Sequence, residues 1–169
     1  MKSYKYLVFD LDGTISDPKV GITCSLNHAL SLHGYDTRPE SELAQHIGPP
    51  LDQTFALLTG EGDTDLHASL VSRYRERYAE VGYAENVLYA GVVDALTHLA
   101  DIDGVTLGVC SSKRVDFVEQ ILEMFNLQDL FSFVSGGEIG IEKWQQLGDL
   151  KAEGTISEDA LMIGDRRFD

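Results

Sequence analysis

The chain of 169 residues has little cysteine, little proline and no long run of apolar residues. Its two cysteines, Cys24 and Cys110, form no CxxC pair, so the sequence predicts neither a disulfide scaffold nor a zinc knuckle. No segment approaches the roughly 20 apolar residues of a membrane span, and the opening residues contain no secretory signal. The 4 Pro and 16 Gly are too few for a collagen-like or disordered chain. We therefore expect a globular cytoplasmic protein with no membrane partner.

Positive charge is also scarce, because 13 Lys and Arg stand against 28 Asp and Glu and give a formal net charge of −15. A surface this acidic repels the phosphates of nucleic acids, so we expect no nucleic-acid partner. An anionic ligand would have to be held by a local group of positive charges and backbone N–H groups. We expect a monomer or a weak homodimer.

Strand-like and helix-like patterns alternate over most of the chain. Short apolar runs predict four buried strands, at residues 4–9, 105–110, 131–134 and 161–163. Helical patterns lie between the last three strands, and Trp144 and Leu147 share one face of a helix predicted from Lys143 to Lys151. This alternation favours an α/β fold with a Rossmann-like parallel sheet.

Residues 18–90 have a different pattern, with three amphipathic helices and no convincing strand. In the first helix, for example, apolar residues recur at Ile22, Leu26 and Leu30. Because this segment interrupts the α/β pattern just after its first strand, we predict an inserted all-helical domain at 18–90. The core domain would then consist of residues 1–17 and 91–169.

The most informative segment is Asp10-Leu11-Asp12-Gly13-Thr14, directly after the first predicted strand. Open parallel sheets bind ligands at the carboxyl ends of their strands. Asp10 is suited to attack phosphorus, and Asp12 to protonate the leaving oxygen and later to deprotonate a water. Gly13 lets the backbone curl so that N–H groups face a phosphate, which places Gly13 and Thr14 in the substrate-binding set. We favour this chemistry over the alternative, an acidic turn.

The run Phe9-Asp10-Leu11-Asp12-Gly13-Thr14 resembles the first motif of the haloacid dehalogenase-like hydrolases. The helical insertion resembles the cap domain of that superfamily, and residues 46–51 (His-Ile-Gly-Pro-Pro-Leu) resemble its phosphoglycolate phosphatase-type branch. The resemblance covers essentially the whole chain. It implies a Mg²⁺-dependent phosphatase that hydrolyses a small phosphorylated metabolite, such as phosphoglycolate, through an aspartyl-phosphate on Asp10.

The second and third family motifs supply phosphate-binding groups. The resemblance places the phosphate-binding hydroxyl at Ser111, with Ser112 beside it, although a helix N-cap is the alternative interpretation of Ser111. It also implies a lysine that neutralises the nucleophile and the phosphoryl group. We choose Lys143, which precedes a short predicted helix, and keep Lys113 and Lys151 as alternatives. Trp144 stands where the family often has proline.

The fourth motif begins at Gly164 and ends at Asp169. By resemblance, the carboxylates of Asp10 and Asp165 and the backbone carbonyl of Asp12 bind Mg²⁺, and Asp169 supports the ion through water. Mg²⁺ prefers such oxygen ligands, and a cation would also reduce the repulsion between these carboxylates and a phosphate dianion.

Several alternatives stay open. Family members usually continue beyond the fourth motif with another strand and helix, so we expect a core truncated at the C-terminus. A 5′-nucleotidase, a pyrophosphatase, a phosphosugar mutase and a non-catalytic truncated fragment are the other interpretations. A dehalogenase is less favoured, because that chemistry needs neither Asp12 nor a metal.

Overall fold

The computed structural model describes residues 4–137 and 141–166. The chain divides into two compact units. The first is made of two segments, one up to Asp17 and one from Val87 onward, and the second is Pro18–Asn86. The second boundary, between Asn86 and Val87, precedes the predicted limit at residue 90. Within the described residues, no helix has the length and apolar character needed to cross a membrane.

The strands and helices follow the predicted alternation. In chain order the strands are β1 (Tyr6–Phe9), β2 (Ser16–Asp17), β3 (Val87–Leu88), β4 (Thr106–Cys110), β5 (Phe133–Ser135) and β6 (Ala160–Ile163). The helices are α1 (Lys19–Leu32), α2 (Glu40–Leu43), α3 (Leu51–Thr59), α4 (Thr64–Glu80), α5 (Val92–Ala100), α6 (Val115–Met124) and α7 (Lys143–Ala152). Short 3₁₀ segments lie at Ala44–His46, Gly82–Glu85 and Gln128–Leu130.

Four parallel strands form the sheet of the first unit, in the order β5-β4-β1-β6. β1 lies between β4 and β6, and Phe9 is in register with Val109 on one side and Ile163 on the other. The three strands therefore end at nearly the same level, and the residues that follow them meet at one edge of the sheet. The predicted α/β fold with a Rossmann-like parallel sheet is confirmed.

Apolar residues fill the centre of this sheet, as expected for parallel strands covered on both faces. Val8, Leu107 and Val109 are all buried. Gly108 has a steric role in β4, because a Cβ at this position would lie 2.1 Å from the Phe133 ring. The missing side chain lets the Phe133 ring lie across β4.

Helix α7 does not bury the face that carries its largest apolar residue. Trp144 and Leu147 share one face of the helix, as predicted, and line the same cavity, but Trp144 is 70% exposed. The buried face instead carries Lys143, Gln146 and Leu150. Hydrophobic periodicity misplaced this face because two of its three buried residues are polar.

The short strands β2 and β3 pair antiparallel, with Ser16 opposite Leu88. The expectation that residues 18–90 contain no strand was therefore wrong at Val87–Leu88. A strand of two residues has no periodicity to detect, and its pairing joins it to the first unit.

The second unit is helical, and α1 packs along α4. The helix α1 buries the predicted residues Ile22, Leu26 and Leu30. Its Gly21 permits a close approach, because a Cβ there would lie 2.1 Å from the carbonyl oxygen of Gly82. The short helix α2 has too few apolar residues for a periodic signal and was not predicted.

Candidate active site

The loop after β1 turns tightly around the carbonyl oxygen of Leu11. The N–H groups of Thr14, Ile15 and Ser16 donate to that oxygen at 3.3, 2.9 and 3.0 Å. Gly13 has φ +84° and its N–H donates to the Ser16 carbonyl at 2.9 Å. We expected the N–H groups of Gly13 and Thr14 to face a phosphate, but both donate within the loop. Glycine is needed here for its backbone conformation.

Asp10 is held in place by two partners. It is 5% exposed, its Oδ1 accepts from the Leu11 N–H at 2.8 Å, and its Oδ2 lies 2.8 Å from the Nζ of Lys143. Lys143 is itself 7% exposed. Because an isolated buried charge is costly, each of the two groups stabilises the charged form of the other. Of the three candidate lysines, the geometry assigns Lys143 to the predicted nucleophile.

The other two candidate lysines have different partners. The Nζ of Lys113 lies 2.9 Å from the Oδ2 of Asp12, with only 9% of the Lys113 side chain exposed. Lys151 pairs with Glu158 at the surface. Lys113, a candidate for the neutralising lysine, pairs instead with the predicted acid–base residue Asp12.

Two buried polar atoms of the loop lack a hydrogen-bond partner among the residues the structure describes. They are the Oδ1 of Asp12 and the Oγ1 of Thr14. Buried polar atoms in folded proteins are nearly always bonded to protein, water or a ligand. These atoms therefore mark where the loop can receive a polar ligand.

Ser111 follows β4 directly and is 1% exposed. Its N–H donates to the Ser135 carbonyl at 2.9 Å, and its Oγ accepts from the Lys113 N–H at 3.2 Å. Helix α6 begins only at Val115, with Arg114 at the N-cap, so the helix N-cap interpretation of Ser111 was wrong. The predicted Ser112 is exposed.

Asp165 follows β6 and its carboxylate lies against the backbone of Gly13. A Cβ on Gly13 would be 2.4 Å from the Asp165 Oδ2 and 2.8 Å from its Oδ1. The absence of a side chain at Gly13 thus lets Asp165 reach the loop that carries Asp10 and Asp12. The predicted Asp169 lies outside the described residues.

The ligand set that the resemblance implies, the carboxylates of Asp10 and Asp165 with the backbone carbonyl of Asp12, stays a prediction; its oxygen atoms are of the kind that a hard divalent cation prefers. In residues 4–137 and 141–166, no three side chains of His, Cys, Asp or Glu converge as a metal-binding group.

Gln146 was missed by the sequence analysis. It is 5% exposed, and its side chain bonds Ser111 and Ser135 at the ends of β4 and β5. The available signal was its spacing, since a residue three positions after Lys143 lies on the same face of a helix.

A profile of the haloacid dehalogenase-like hydrolases matches residues 7–169. The chain belongs to this family. It is 36% identical over 170 residues to a 5′-nucleotidase of Pseudomonas aeruginosa, covering 98% of the chain and 76% of that protein. It is 31% identical to a phosphoglycolate phosphatase of Cereibacter sphaeroides, and the match covers 96% of the chain and 77% of that protein.

Two further matches each cover 99% of the chain. The tyrosine-protein kinase PtkA of Mycobacterium tuberculosis is 33% identical, and the chain spans 58% of its length. The crystal structure of a predicted phosphatase from Clostridium acetobutylicum is 34% identical with a TM-score of 0.87, covering 99% of the chain and 78% of that structure. The predicted membership of the haloacid dehalogenase-like hydrolases, with phosphatases among the relatives, is confirmed. The prediction of an enzyme is confirmed with it.

Proposed function

We propose that this haloacid dehalogenase-like hydrolase is a Mg²⁺-dependent phosphatase acting on a small phosphomonoester through an aspartyl-phosphate on Asp10. The observation that carries the proposal is the buried pair of Asp10 and Lys143, 2.8 Å apart at the end of the central strand. A carboxylate held here beside a positive charge is suited to attack a phosphate dianion.

The proposed location is the cytoplasm. Cys24 and Cys110 are both free thiols, which fits a reducing compartment.

The proposed reaction has two displacements at phosphorus. In the first, a carboxylate oxygen of Asp10 forms a bond to phosphorus while the ester oxygen leaves, and Asp12 donates a proton to that oxygen. In the second, Asp12 takes a proton from water, and the resulting attack on phosphorus releases inorganic phosphate and restores Asp10. Ser111 and Lys143 bind the phosphoryl oxygens, and Lys143 offsets the charge that develops on them.

Asp10, Asp165 and the Asp12 carbonyl would hold Mg²⁺, with support from Asp169. When bound, the ion would supply positive charge that reduces repulsion between the carboxylates and the phosphate. The close approach of Asp165 to Gly13 supports this ligand set.

Two classes of substrate fit this proposal. Phosphoglycolate is favoured by the resemblance of residues 46–51 to the phosphoglycolate phosphatase-type branch and by the 31% identity to such an enzyme. A 5′-nucleotide is favoured by the 36% identity to a 5′-nucleotidase. Both are small phosphomonoesters, so the chemistry at Asp10 is the same.

The test is release of inorganic phosphate by the purified chain, with Mg²⁺, from phosphoglycolate, 5′-nucleotides, pyrophosphate and p-nitrophenyl phosphate. We expect turnover of at least one monoester, loss of turnover in EDTA, and none in D10N, while D10N keeps its circular dichroism spectrum. Turnover by folded D10N would exclude Asp10 as the nucleophile.

The rival is a non-catalytic binding protein. It predicts no turnover of any ester and no rise in melting temperature with Mg²⁺ plus a phosphoryl mimic such as tungstate. A competent site must raise the melting temperature, because the ligand binds only the folded state.

A further inference from the structure

Gln146 connects the helix that carries Lys143 to the ends of two core strands. The two residues are three positions apart on α7, and both are buried. We infer that Gln146 is a positioning residue, which fixes Lys143 relative to Asp10 and Ser111. The inference rests on the proposed phosphatase function.

Three hydrogen bonds join the Gln146 amide to β4 and β5. Its Nε2 donates to the carbonyl oxygen of Ser111 at 3.3 Å, and its Oε1 accepts from the Ser135 hydroxyl at 2.9 Å and from the Cys110 thiol at 3.7 Å. A carbonyl oxygen can only accept, so Nε2 must face Ser111, which fixes the orientation of the amide. The side chain thus bridges the strand end that presents Ser111 and the helix that presents Lys143.

Packing alone does not explain a glutamine at this position. A buried amide must be fully paired to avoid a desolvation penalty, whereas an apolar residue of similar volume needs no partner. The start of α7 is already fixed by a capping box, in which the Glu142 side chain accepts from the N–H of Gln145 and the Gln145 side chain accepts from the N–H of Glu142. The additional restraint from Gln146 is directed at the strand ends where the site lies.

The position of the Lys143 ammonium depends on such restraints. Lysine has a long, flexible side chain, so its Nζ stays over a target only when the backbone that carries it is anchored. A displacement of about 1 Å in a catalytic group can cost about 100-fold in rate. Gln146 anchors α7 within one turn of Lys143 and acts through Lys143 and Ser111, without contact to the reacting atoms.

The experiment compares the native chain with Q146M, Q146E and L150A in Mg²⁺ and p-nitrophenyl phosphate. Q146M keeps the volume and removes the hydrogen bonds. L150A creates a cavity under the same helix, at a buried apolar residue whose side chain makes none of these bonds. We expect Q146M to lower kcat by about 10- to 100-fold with little change in KM. L150A should lower the melting temperature at least as much as Q146M does, but it should keep most of the native kcat.

Q146E supplies a readout that a purely structural role would not move. Its carboxyl can donate to the Ser111 carbonyl only when protonated. The ratio of Q146E to native kcat should therefore rise as the pH falls. A ratio independent of pH, a Q146M kcat within threefold of native, or an equal kcat loss in L150A would each overturn the inference.

Failure of the proposed function would be recognised separately, because the native chain would then release no phosphate from any ester. The positioning role is in that case decided by crystal structures of the native chain and Q146M. Displacement of the Lys143 Nζ from Asp10 in Q146M would support it, and an unchanged pair would refute it.

Discussion

Lys113 and Asp12 form an ion pair, with the Lys113 Nζ 2.9 Å from the Asp12 Oδ2. The other aspartate of the first motif, Asp10, pairs with Lys143. Each of the two carboxylates that the proposed mechanism uses therefore has a lysine from a different part of the chain. In a protein of net charge −15, the two lysines offset the charges of these two carboxylates.

We predict that K113M lowers kcat/KM by about 10-fold or more, whereas K113R keeps much of it. Without the cation, Asp12 loses the partner that fixes its rotamer, and the approaching phosphate dianion meets one positive charge fewer. The measurement is steady-state phosphate release in Mg²⁺, with the melting temperature recorded for each variant.

K151M is the matched control, because Lys151 pairs with Glu158 at the surface and both are largely exposed. It should keep native kcat/KM. Equal activity in K113M and K151M would show that the Lys113–Asp12 pair has no part in turnover.

We predict that G13A abolishes turnover. The substitution forces a left-handed backbone on alanine and also places a Cβ 2.4 Å from the Asp165 Oδ2, so Asp165 must move away from the loop. G154A separates the two effects, because Gly154 has φ +79° and a Cβ added there would meet nothing within 4 Å. Both variants should lose stability, but only G13A should lose phosphate release and the rise in melting temperature with Mg²⁺. Native activity in G13A would contradict the close packing of Asp165 on Gly13.

The parallel sheet and the edge that carries Asp10 could be predicted from the sequence because both depend on strong local signals. Each core strand is an apolar run; Asp10 comes directly after one of them, and Asp165 comes two residues after another. The order of the strands then brings residues from distant parts of the chain to one edge. The resemblance to the family motifs predicts the grouping of Asp10, Ser111 and Asp165.

Other features could not be predicted, because tertiary contacts decide them. The choice between Lys143 and Lys113 depends on which carboxylate each Nζ reaches, and both pairings are long-range. Gln146 has no apolar character, so only its partners explain its burial. Trp144 is a large apolar residue on the exposed side of α7, against the usual pattern.

In the helical unit, we predict that R77M destabilises the protein by about 1–3 kcal/mol. Arg77 makes two hydrogen bonds of 2.9 Å to Glu85 and a third, of 3.1 Å, to the Ser25 hydroxyl. The pair is only 19% and 24% exposed, so removal of the guanidinium leaves Glu85 poorly solvated without its charged partner. The measurement is the free energy of unfolding in urea.

R73M is the control on the same helix, since Arg73 pairs with Glu76 at a site that is half exposed on both sides. Exposed pairs contribute little, so we expect a change of about 0.5 kcal/mol or less. Equal losses for R77M and R73M would mean that the Arg77–Glu85 pair adds nothing beyond a surface interaction.

The last prediction concerns the pH dependence of stability at Tyr35. Its hydroxyl donates to the Glu61 carboxylate, and this hydrogen bond raises the pKa of Tyr35 above its ordinary value of 10.0. The folded chain therefore holds the phenol proton to higher pH than the unfolded chain. This contribution is complete below pH 10.0 and is lost as the pH rises through the folded pKa. In unfolding titrations, the difference between native and Y35F should be constant below that pH and shrink above it. E61Q should return the phenolate absorbance of Tyr35 towards its ordinary titration. A native–Y35F difference that does not change with pH would contradict the role assigned to the Tyr35–Glu61 bond.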